Sequence, residues 1–195
     1  MSNNSVRLIV GLGNPGTEYE RTWHNLGFLA LDAFREEEGY RFGDWTLDRR
    51  SHTLVASGTL PGCRLMLAKP QTMMNNAGAG VAALMSAHHL RTDDLWLVHD
   101  EIDLPLGKLR LSRNSAAAGH RGVQSVFDAL QTSAITRFRL GIATPERGEL
   151  PAEDYVLTAI PAAAEPTVKA TIERAVQAIS LAQLGGVPEA MNQFN

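Results

Sequence analysis

Near its start the chain has a short apolar strand that runs directly into a glycine-rich loop, IVGLGNPGTEYERTWHNLG over residues 9–27. Three glycines in this loop follow the pattern G-x-G-x-x-G, which also occurs where dinucleotides bind. A dinucleotide fold needs a long helix directly after the loop and an acidic residue that ends a second strand about 20 residues later. Here the letters NPG form a turn, and the acidic residues at that distance, 36–38, end a helix. The pattern therefore predicts a strand–loop–helix unit whose loop holds a different ligand.

Strand-like and helix-like periods alternate along the remainder of the chain, which predicts a layered α/β fold. A length of 195 residues is enough for one sizeable core and short for two, so we expect a single domain over residues 1–195. Predicted strands cover residues 7–10, 53–60, 64–69, 94–100, 107–112 and 138–143, and a Pro-Gly turn joins the second to the third. Predicted helices cover residues 25–38, 77–90 and 120–131. From residue 161 the chain is predicted to be an Ala-rich helical scaffold, which is broken at the letters GGVP.

Polar residues stand at the carboxyl ends of three predicted strands. Asn14 follows the first strand, Asn75 follows the strand that ends in LMLAK, and Asp100 closes the strand DLWLVHD. Ligands of open α/β sheets collect beyond the carboxyl ends of the strands. We therefore expect these three side chains to meet in one crevice.

His24 and Asp100 are the groups in these segments best suited to proton transfer near neutral pH. A carboxylate that accepts from one imidazole nitrogen fixes the tautomer and raises the basicity of the other nitrogen. The sequence supplies no obvious nucleophile for this pair, because it lacks G-x-S-x-G and its single cysteine, Cys63, stands in an unsuitable context. The pair therefore predicts a general base that activates water, and a packed or helix-capping role for His24 is the alternative.

A metal site is a second hypothesis for the same region. It would draw on His99, Asp100, Glu101, Asp103 and His120. No pair among them has a helical metal-binding spacing such as H-x-x-x-H, so a resident metal is not expected. Side chains alternate along an extended strand, so the two neighbours of Asp100 should point to its opposite face. The histidines expected at the surface or in packing are His52, His88, His89 and His99.

The basic residues are unevenly distributed along the chain. The net charge of −3 argues against a protein that coats nucleic acid, yet residues 105–150 carry seven basic and three acidic side chains, a local balance of +4. This distribution favours an anionic partner beside the predicted crevice. The single cysteine excludes an intramolecular disulfide, and the apolar runs are too short for a membrane span. We therefore expect a cytoplasmic protein.

Five motifs of the chain resemble, in order and in spacing, those of bacterial peptidyl-tRNA hydrolases. They are VGLGNPGTEYERTWHNLG, KPQTMMNNAG, LVHDEIDLPLGKLRL, AAAGHRGVQS and RFRLGIA. The resemblance covers nearly the whole chain and implies a single domain with a twisted mixed β-sheet sandwiched between helices. It also implies hydrolysis of the ester between a peptide and the terminal ribose of tRNA, with no cofactor and no metal.

The same resemblance assigns roles to individual positions. His24 matches the family's catalytic histidine, and Asp100 matches the aspartate that orients it. The substrate-binding positions are Asn14, Tyr19, Met74, Asn75 and Arg121, and the tRNA-binding positions are Lys108, Arg110, Arg113 and Arg139. The resemblance further implies a cytoplasmic monomer that binds peptidyl-tRNA and no membrane. The alternative function is that of a non-catalytic RNA-binding relative with the same fold.

The chain departs from the family's pattern at a few positions. Trp23 stands where many members have an arginine, and Ala116–Ala118 replace part of a glycine-rich loop, which predicts a stiffer loop. Arg121 stands where many members have the asparagine of GHNG. An arginine there is able to contact the 3′ end or a phosphate of the RNA, because a guanidinium binds phosphate oxygens through paired hydrogen bonds.

Overall fold

The computed structural model describes residues 5–37, 39–60 and 63–195, in which one seven-stranded sheet has helices on both faces. The strands are β1 (Ser5–Gly11), β2 (Thr46–Asp48), β3 (Thr53–Leu60), β4 (Cys63–Pro70), β5 (Leu95–Pro105), β6 (Leu109–Ser112) and β7 (Thr136–Ala143). The helices are α1 (Leu26–Arg35), α2 (Ala77–Ala87), α3 (Arg121–Leu130), α4 (Ala152–Tyr155), α5 (Glu165–Gly185) and α6 (Val187–Phe194). The strand order is β2-β3-β4-β1-β5-β7-β6. The predicted α/β fold with a mixed sheet between helices is confirmed.

The centre of the sheet is parallel and its two edges are antiparallel. β1 pairs in parallel with β4 and β5, and β5 pairs in parallel with β7, whereas β2–β3, β3–β4 and β6–β7 are antiparallel. Central parallel strands need a cover on both faces. Ile9 packs in the cluster that contains α1 and α5, while Leu8 and Val10 pack with α2 and α3 on the other face. The predicted hairpin is confirmed in β3 and β4, and its Pro-Gly turn lies outside the described residues.

β5 continues past the point where the sequence pattern ends it. The predicted strand closes at Asp100, but the observed strand runs on to Pro105. β1 pairs with β5 only as far as Gly11 opposite Val98, whereas β7 still pairs with β5 at Asp100 and beyond. One side of β5 is therefore left without a neighbouring strand, and Asp100 lies on this uncovered segment. The difference in strand length opens a crevice above the end of β1.

A close backbone approach holds the start of α1 over this crevice. A Cβ atom at Gly27, the second residue of α1, would overlap the carbonyl oxygen of Val98 and the backbone of Leu12. Only glycine allows the helix to lie directly on β1 and β5 at this point. The short 3-10 helix Trp23–Asn25, which leads into α1, is thereby fixed beside the uncovered segment of β5.

The C-terminal tail forms a packed scaffold, as expected. Val168 and Ile179 of α5 are buried in the core cluster that contains α1, and the chain turns between α5 and α6 at Gly186. The side chain of Asn195 accepts a hydrogen bond from the backbone N–H of Leu111 at 2.7 Å and donates one to its carbonyl oxygen at 3.1 Å. It thereby pairs with the outer edge of β6. Among the described residues, no helix is both long enough and apolar enough to cross a membrane.

The crossing of α2 and α3 provides a test of this packing. A Cβ atom at Gly78 would overlap the backbone carbonyl of Ser125, so we expect Gly78→Ala to destabilise the fold by about 1–3 kcal/mol. In a helix without this contact the same change would stabilise by roughly 0.5–1 kcal/mol. Urea unfolding measures the difference, with Ala79→Ser on the exposed face of α2 as the control. A Gly78→Ala variant as stable as the wild type would contradict the close crossing.

Candidate active site

A crevice of about 510 Å³ opens at the carboxyl ends of the central strands. Its floor includes Asn14, His24 and Asp100, and its two sides come from residues 118–121 and 151–157. The three polar side chains that the sequence placed at strand ends, Asn14, Asn75 and Asp100, therefore share one crevice with His24. Within the described part of the chain, no serine, threonine, cysteine, tyrosine or lysine lines it.

His24 is fixed at both its backbone and its ring. Its backbone N–H donates to the carbonyl oxygen of Val156 at 2.8 Å. Its ring Nδ1 lies 3.0 Å from Oδ1 and 3.1 Å from Oδ2 of Asp100. A carboxylate only accepts hydrogen bonds, so Nδ1 carries the proton and Nε2 is left as the basic nitrogen. The predicted contact between His24 and Asp100 is present.

Asp100 is 1% exposed and accepts hydrogen bonds from two imidazoles. In addition to His24, the Nε2 atom of His120 lies 3.0 Å from Oδ1 of Asp100. Burial by itself would raise the pKa of the Asp100 carboxyl, but the charges and hydrogen bonds of His24 and His120 hold that pKa well below its usual range. The carboxylate is therefore ionised at neutral pH.

His120 is the partner of Asp100 that sequence reasoning missed, since it entered only as one of five hypothetical metal ligands. It is the N-cap of α3, where its Nδ1 accepts from the backbone N–H groups of Gly122 and Val123 at 3.2 and 3.3 Å. The proton of the neutral ring must then be on Nε2, which donates to Asp100. Its ring centroid is 4.8 Å from that of His24. The predicted helix 120–131 included His120 as its first residue, whereas in the structure His120 is the N-cap, and a histidine at this boundary was the available signal.

The side-chain nitrogens and oxygens of His24, Asp100 and His120 lie within 4.8 Å of one another, as in some metal sites. The helix cap of His120 does not fit this use. Because its Nδ1 faces two backbone donors, its Nε2 holds the proton and offers no lone pair to a cation.

The other hypothetical metal ligands have different partners. The Nδ1 of His99 lies 2.6 Å from the carbonyl oxygen of Asp100, and the ring is fully buried. Burial, together with the charges of His120 and Arg137, lowers the pKa of His99 well below its usual range. Oε2 of Glu101 accepts from Nε of Arg139 at 2.9 Å. The proposed five-residue set is therefore not assembled around one point.

Asn14 is oriented by an amide network. Its backbone N–H donates to Oδ1 of Asn25 at 2.8 Å, and Nδ2 of Asn25 donates to its carbonyl oxygen at 3.0 Å. Its own Oδ1 accepts from the backbone N–H of Met74 at 2.8 Å. This bond leaves the Nδ2 donor of Asn14 available to a ligand in the crevice. Asn25 was not singled out in the sequence, because a buried asparagine after a histidine has no distinctive pattern.

The remaining predicted substrate-binding residues occupy different positions. Met74 is buried in the crevice wall, Asn75 is exposed there, and Arg121 is exposed at the start of α3, which packs beside Met74. Tyr19 is half-buried in the turn that follows the glycine-rich loop and does not line the crevice.

Of the four predicted tRNA-binding residues, two form ion pairs with acidic side chains of the same chain. Lys108 and Arg110 are exposed at the outer edge of the sheet, on and just before β6. Arg113 forms an ion pair with Asp93, and Arg139 is half-buried in its ion pair with Glu101.

Arg137 belongs to the basic stretch of the sequence but not to the surface. It is fully buried, and its Nη2 donates to the carbonyl oxygens of Ser115 and Ala116 at 3.0 and 2.7 Å. Burial lowers the pKa of Arg137 to about 10. This guanidinium holds the loop that leads to His120.

Comparisons with known proteins show the family to which the chain belongs. The family model described as peptidyl-tRNA hydrolase matches residues 8–195. The chain is 39% identical to the peptidyl-tRNA hydrolase of Desulforamulus reducens, over 97% of this chain and 89% of that protein. It is 40% identical to the enzyme of Koribacter versatilis, over 97% and 92%.

A solved structure extends the match to three dimensions. The crystal structure of peptidyl-tRNA hydrolase from Acinetobacter baumannii superposes with a TM-score of 0.85 and 31% identity, and the match covers 100% of this chain and 96% of that one. Family model, sequence relatives and fold thus agree over nearly the whole length. The chain belongs to the peptidyl-tRNA hydrolase family of enzymes.

Proposed function

We propose that this chain hydrolyses the ester bond between peptide and tRNA in peptidyl-tRNA, and so frees tRNA from stalled or aborted translation. The observation that carries the proposal is the His24–Asp100 hydrogen bond, at 3.0 Å, in a crevice whose described lining holds no hydroxyl, thiol or amine side chain. A general base that has no protein nucleophile beside it is suited to take a proton from water. The base, its carboxylate and the two amides all lie within one chain, so the proposed reaction requires no second copy.

In the proposed reaction, Nε2 of His24 takes a proton from a water molecule as its oxygen attacks the ester carbonyl. The imidazolium that forms is stabilised by the ionised carboxylate of Asp100. The tetrahedral intermediate then collapses, the bond to the ribose oxygen breaks, and the imidazolium of His24 gives its proton to that oxygen, which restores the base. The new carboxyl group releases its remaining proton to solvent. The products are a free peptide carboxylate and tRNA with a free ribose hydroxyl.

His120 and Asn14 complete the proposed site. His120 donates to the Oδ1 atom that also faces His24, so it holds the carboxylate in position between the two rings. Asn14 supplies Nδ2 as a donor to the carbonyl oxygen or to the peptide backbone, and Asn75 provides a further amide at the exposed rim. We assign both amides to the peptide, because an amide donates and accepts without competing for the proton of His24.

The basic edge of the sheet is the proposed contact for tRNA. Arg110 of β6 stands opposite Arg139 of β7, which in turn stands opposite His99 of β5, next to Asp100. Two strand spacings separate β6 from β5, a distance of about 10 Å. A phosphate backbone on Lys108 and Arg110 would therefore lie close to an ester in the crevice.

Replacement of the base tests the proposal directly. We expect His24→Ala to reduce kcat for hydrolysis of an N-acetylaminoacyl-tRNA by about 10²–10⁴-fold, which is the usual contribution of a general base. His88→Ala, at an exposed histidine after α2, is the matched control and should retain full activity. Wild-type protein that releases no tRNA from this substrate would contradict the proposed function, and retained activity in His24→Ala would contradict the role of His24.

The donor role of Asn14 has its own test. Asn14→Asp keeps the oxygen that accepts from Met74 N–H but removes the Nδ2 donor. If Nδ2 stabilises the developing oxyanion, kcat should fall by about 10²–10³-fold with little change in KM. Asn76→Asp, at the exposed residue that follows Asn75, is the control and should leave kcat unchanged. A rise in KM alone would assign Asn14 to peptide binding instead.

The RNA contacts should show in the salt dependence of binding. We expect Lys108→Gln and Arg110→Gln each to reduce the slope of log Kd against log salt by about one unit, because each lost phosphate contact removes one released counterion. Binding of deacylated tRNA between 0.05 and 0.5 M salt, roughly the range over which counterion release is measurable, provides the slope. Arg49→Gln, in the turn between β2 and β3 at the opposite edge of the sheet, should leave it unchanged. Unchanged slopes for both Lys108→Gln and Arg110→Gln would remove this edge of the sheet from the RNA interface.

A further inference from the structure

An ion pair joins the two sides of the crevice at its mouth. Nη2 of Arg121, the first residue of α3, contacts Oε2 of Glu153 in α4. Both residues line the crevice, and their side chains are 64% and 63% exposed. The arginine that replaces the family's usual asparagine is thus engaged with an acid across the opening.

This pair is the outermost link in a closed ring of contacts. On one side, His120 precedes Arg121 and donates to Asp100, which holds His24. On the other side, Glu153 lies one helical turn before Val156, whose carbonyl oxygen accepts from the backbone N–H of His24. The inner links are buried, whereas the Arg121–Glu153 link is in solvent.

The exposed link is the one that can open at low cost. Exposed ion pairs contribute little because water and salt screen them, whereas a buried carboxylate deprived of a donor is strongly destabilised. Separation of Arg121 from Glu153 would therefore widen the mouth and leave the hydrogen bonds of His24, Asp100 and His120 intact.

The chemistry of the substrate identifies the group that would take the place of Glu153. In peptidyl-tRNA the carboxyl end of the peptide is esterified and carries no charge. The anionic groups that every such substrate brings to this mouth are the backbone phosphates of the RNA. A guanidinium binds phosphate oxygens with the same paired geometry that it uses for a carboxylate.

We propose that Arg121 binds a backbone phosphate at the acceptor end of tRNA and that Glu153 competes with this phosphate for the guanidinium. The inference rests on the proposed function for the identity of the RNA. Glu153 then lowers the affinity of the protein for RNA. In the protein without RNA it pairs with Arg121 across the mouth of the crevice, and this ion pair must break before Arg121 binds the phosphate.

The test measures binding of an RNA hairpin with a single-stranded CCA 3′ end by fluorescence anisotropy as a function of salt. Arg121→Gln should reduce the slope of log Kd against log salt by about 0.7, the value for one phosphate contact on a single strand, and should raise Kd about fivefold at 0.1 M salt. Arg121→Lys keeps the charge and should keep the slope, even if the paired hydrogen bonds are lost.

Glu153→Gln should lower Kd by about two- to fivefold, which corresponds to the usual strength of an exposed ion pair. In an Arg121→Gln background the same change should have only the small effect of removing one negative charge near the RNA. Glu149→Gln removes an equal charge from the exposed loop before α4. This control should lower Kd by the same small factor with Arg121 and with Gln at position 121. An Arg121→Gln slope equal to that of the wild type would overturn the phosphate contact. Equal gains from Glu153→Gln with and without Arg121 would show general repulsion and overturn the competition.

These measurements are independent of turnover. If the wild-type protein binds the hairpin with the expected pattern but releases no tRNA from N-acetylaminoacyl-tRNA, the proposed hydrolysis fails and the Arg121–Glu153 exchange stands. If hydrolysis is observed and neither variant alters binding as expected, the exchange fails and the proposed function stands.

Discussion

The buried carboxylate of Asp100 is the constraint on which the rest of the site depends. An ionised carboxylate without partners in the protein interior costs several kcal/mol, so its position at 1% exposure requires strong donors. Two imidazoles supply them, His24 from the segment before α1 and His120 from the start of α3. The carboxylate therefore ties together three segments that are distant in sequence. In return, it fixes the tautomer of each ring.

The secondary structure around Asp100 serves this arrangement. β5 extends past the end of β1, which exposes Asp100 to the crevice, and Gly27 lets α1 approach the strands closely enough to present His24. The N-terminus of α3 orients His120 through two backbone N–H groups. Beneath the loop that leads to α3, the buried guanidinium of Arg137 holds two backbone carbonyls. Every partner of the carboxylate is thus held by a second set of hydrogen bonds or by close packing.

The sequence predicted every strand that the structure describes except the three-residue edge strand β2, together with the main helices and the meeting of His24 with Asp100, because strand periods, glycine turns and polar residues at strand ends are local signals. It did not predict His120 as a partner of Asp100, since the contact joins a helix cap to a strand 20 residues away and depends on tertiary geometry. The burial of Arg137 was also missed, because a charge count does not distinguish a surface arginine from one beneath a loop. The length of β5 was underestimated because its last residues pair with β7 alone.

The bond between Asn195 and the backbone of Leu111 has a consequence for the edge that carries Lys108 and Arg110. The free amide and carbonyl groups of an exposed edge strand would invite a strand from another protein molecule. The side chain of Asn195 bonds the outward N–H and carbonyl oxygen of Leu111 in this four-residue strand, and Lys108 and Arg110 stay exposed. The row of free backbone groups is thus interrupted, which disfavours sheet extension between molecules, while the side chains proposed to bind tRNA remain in water.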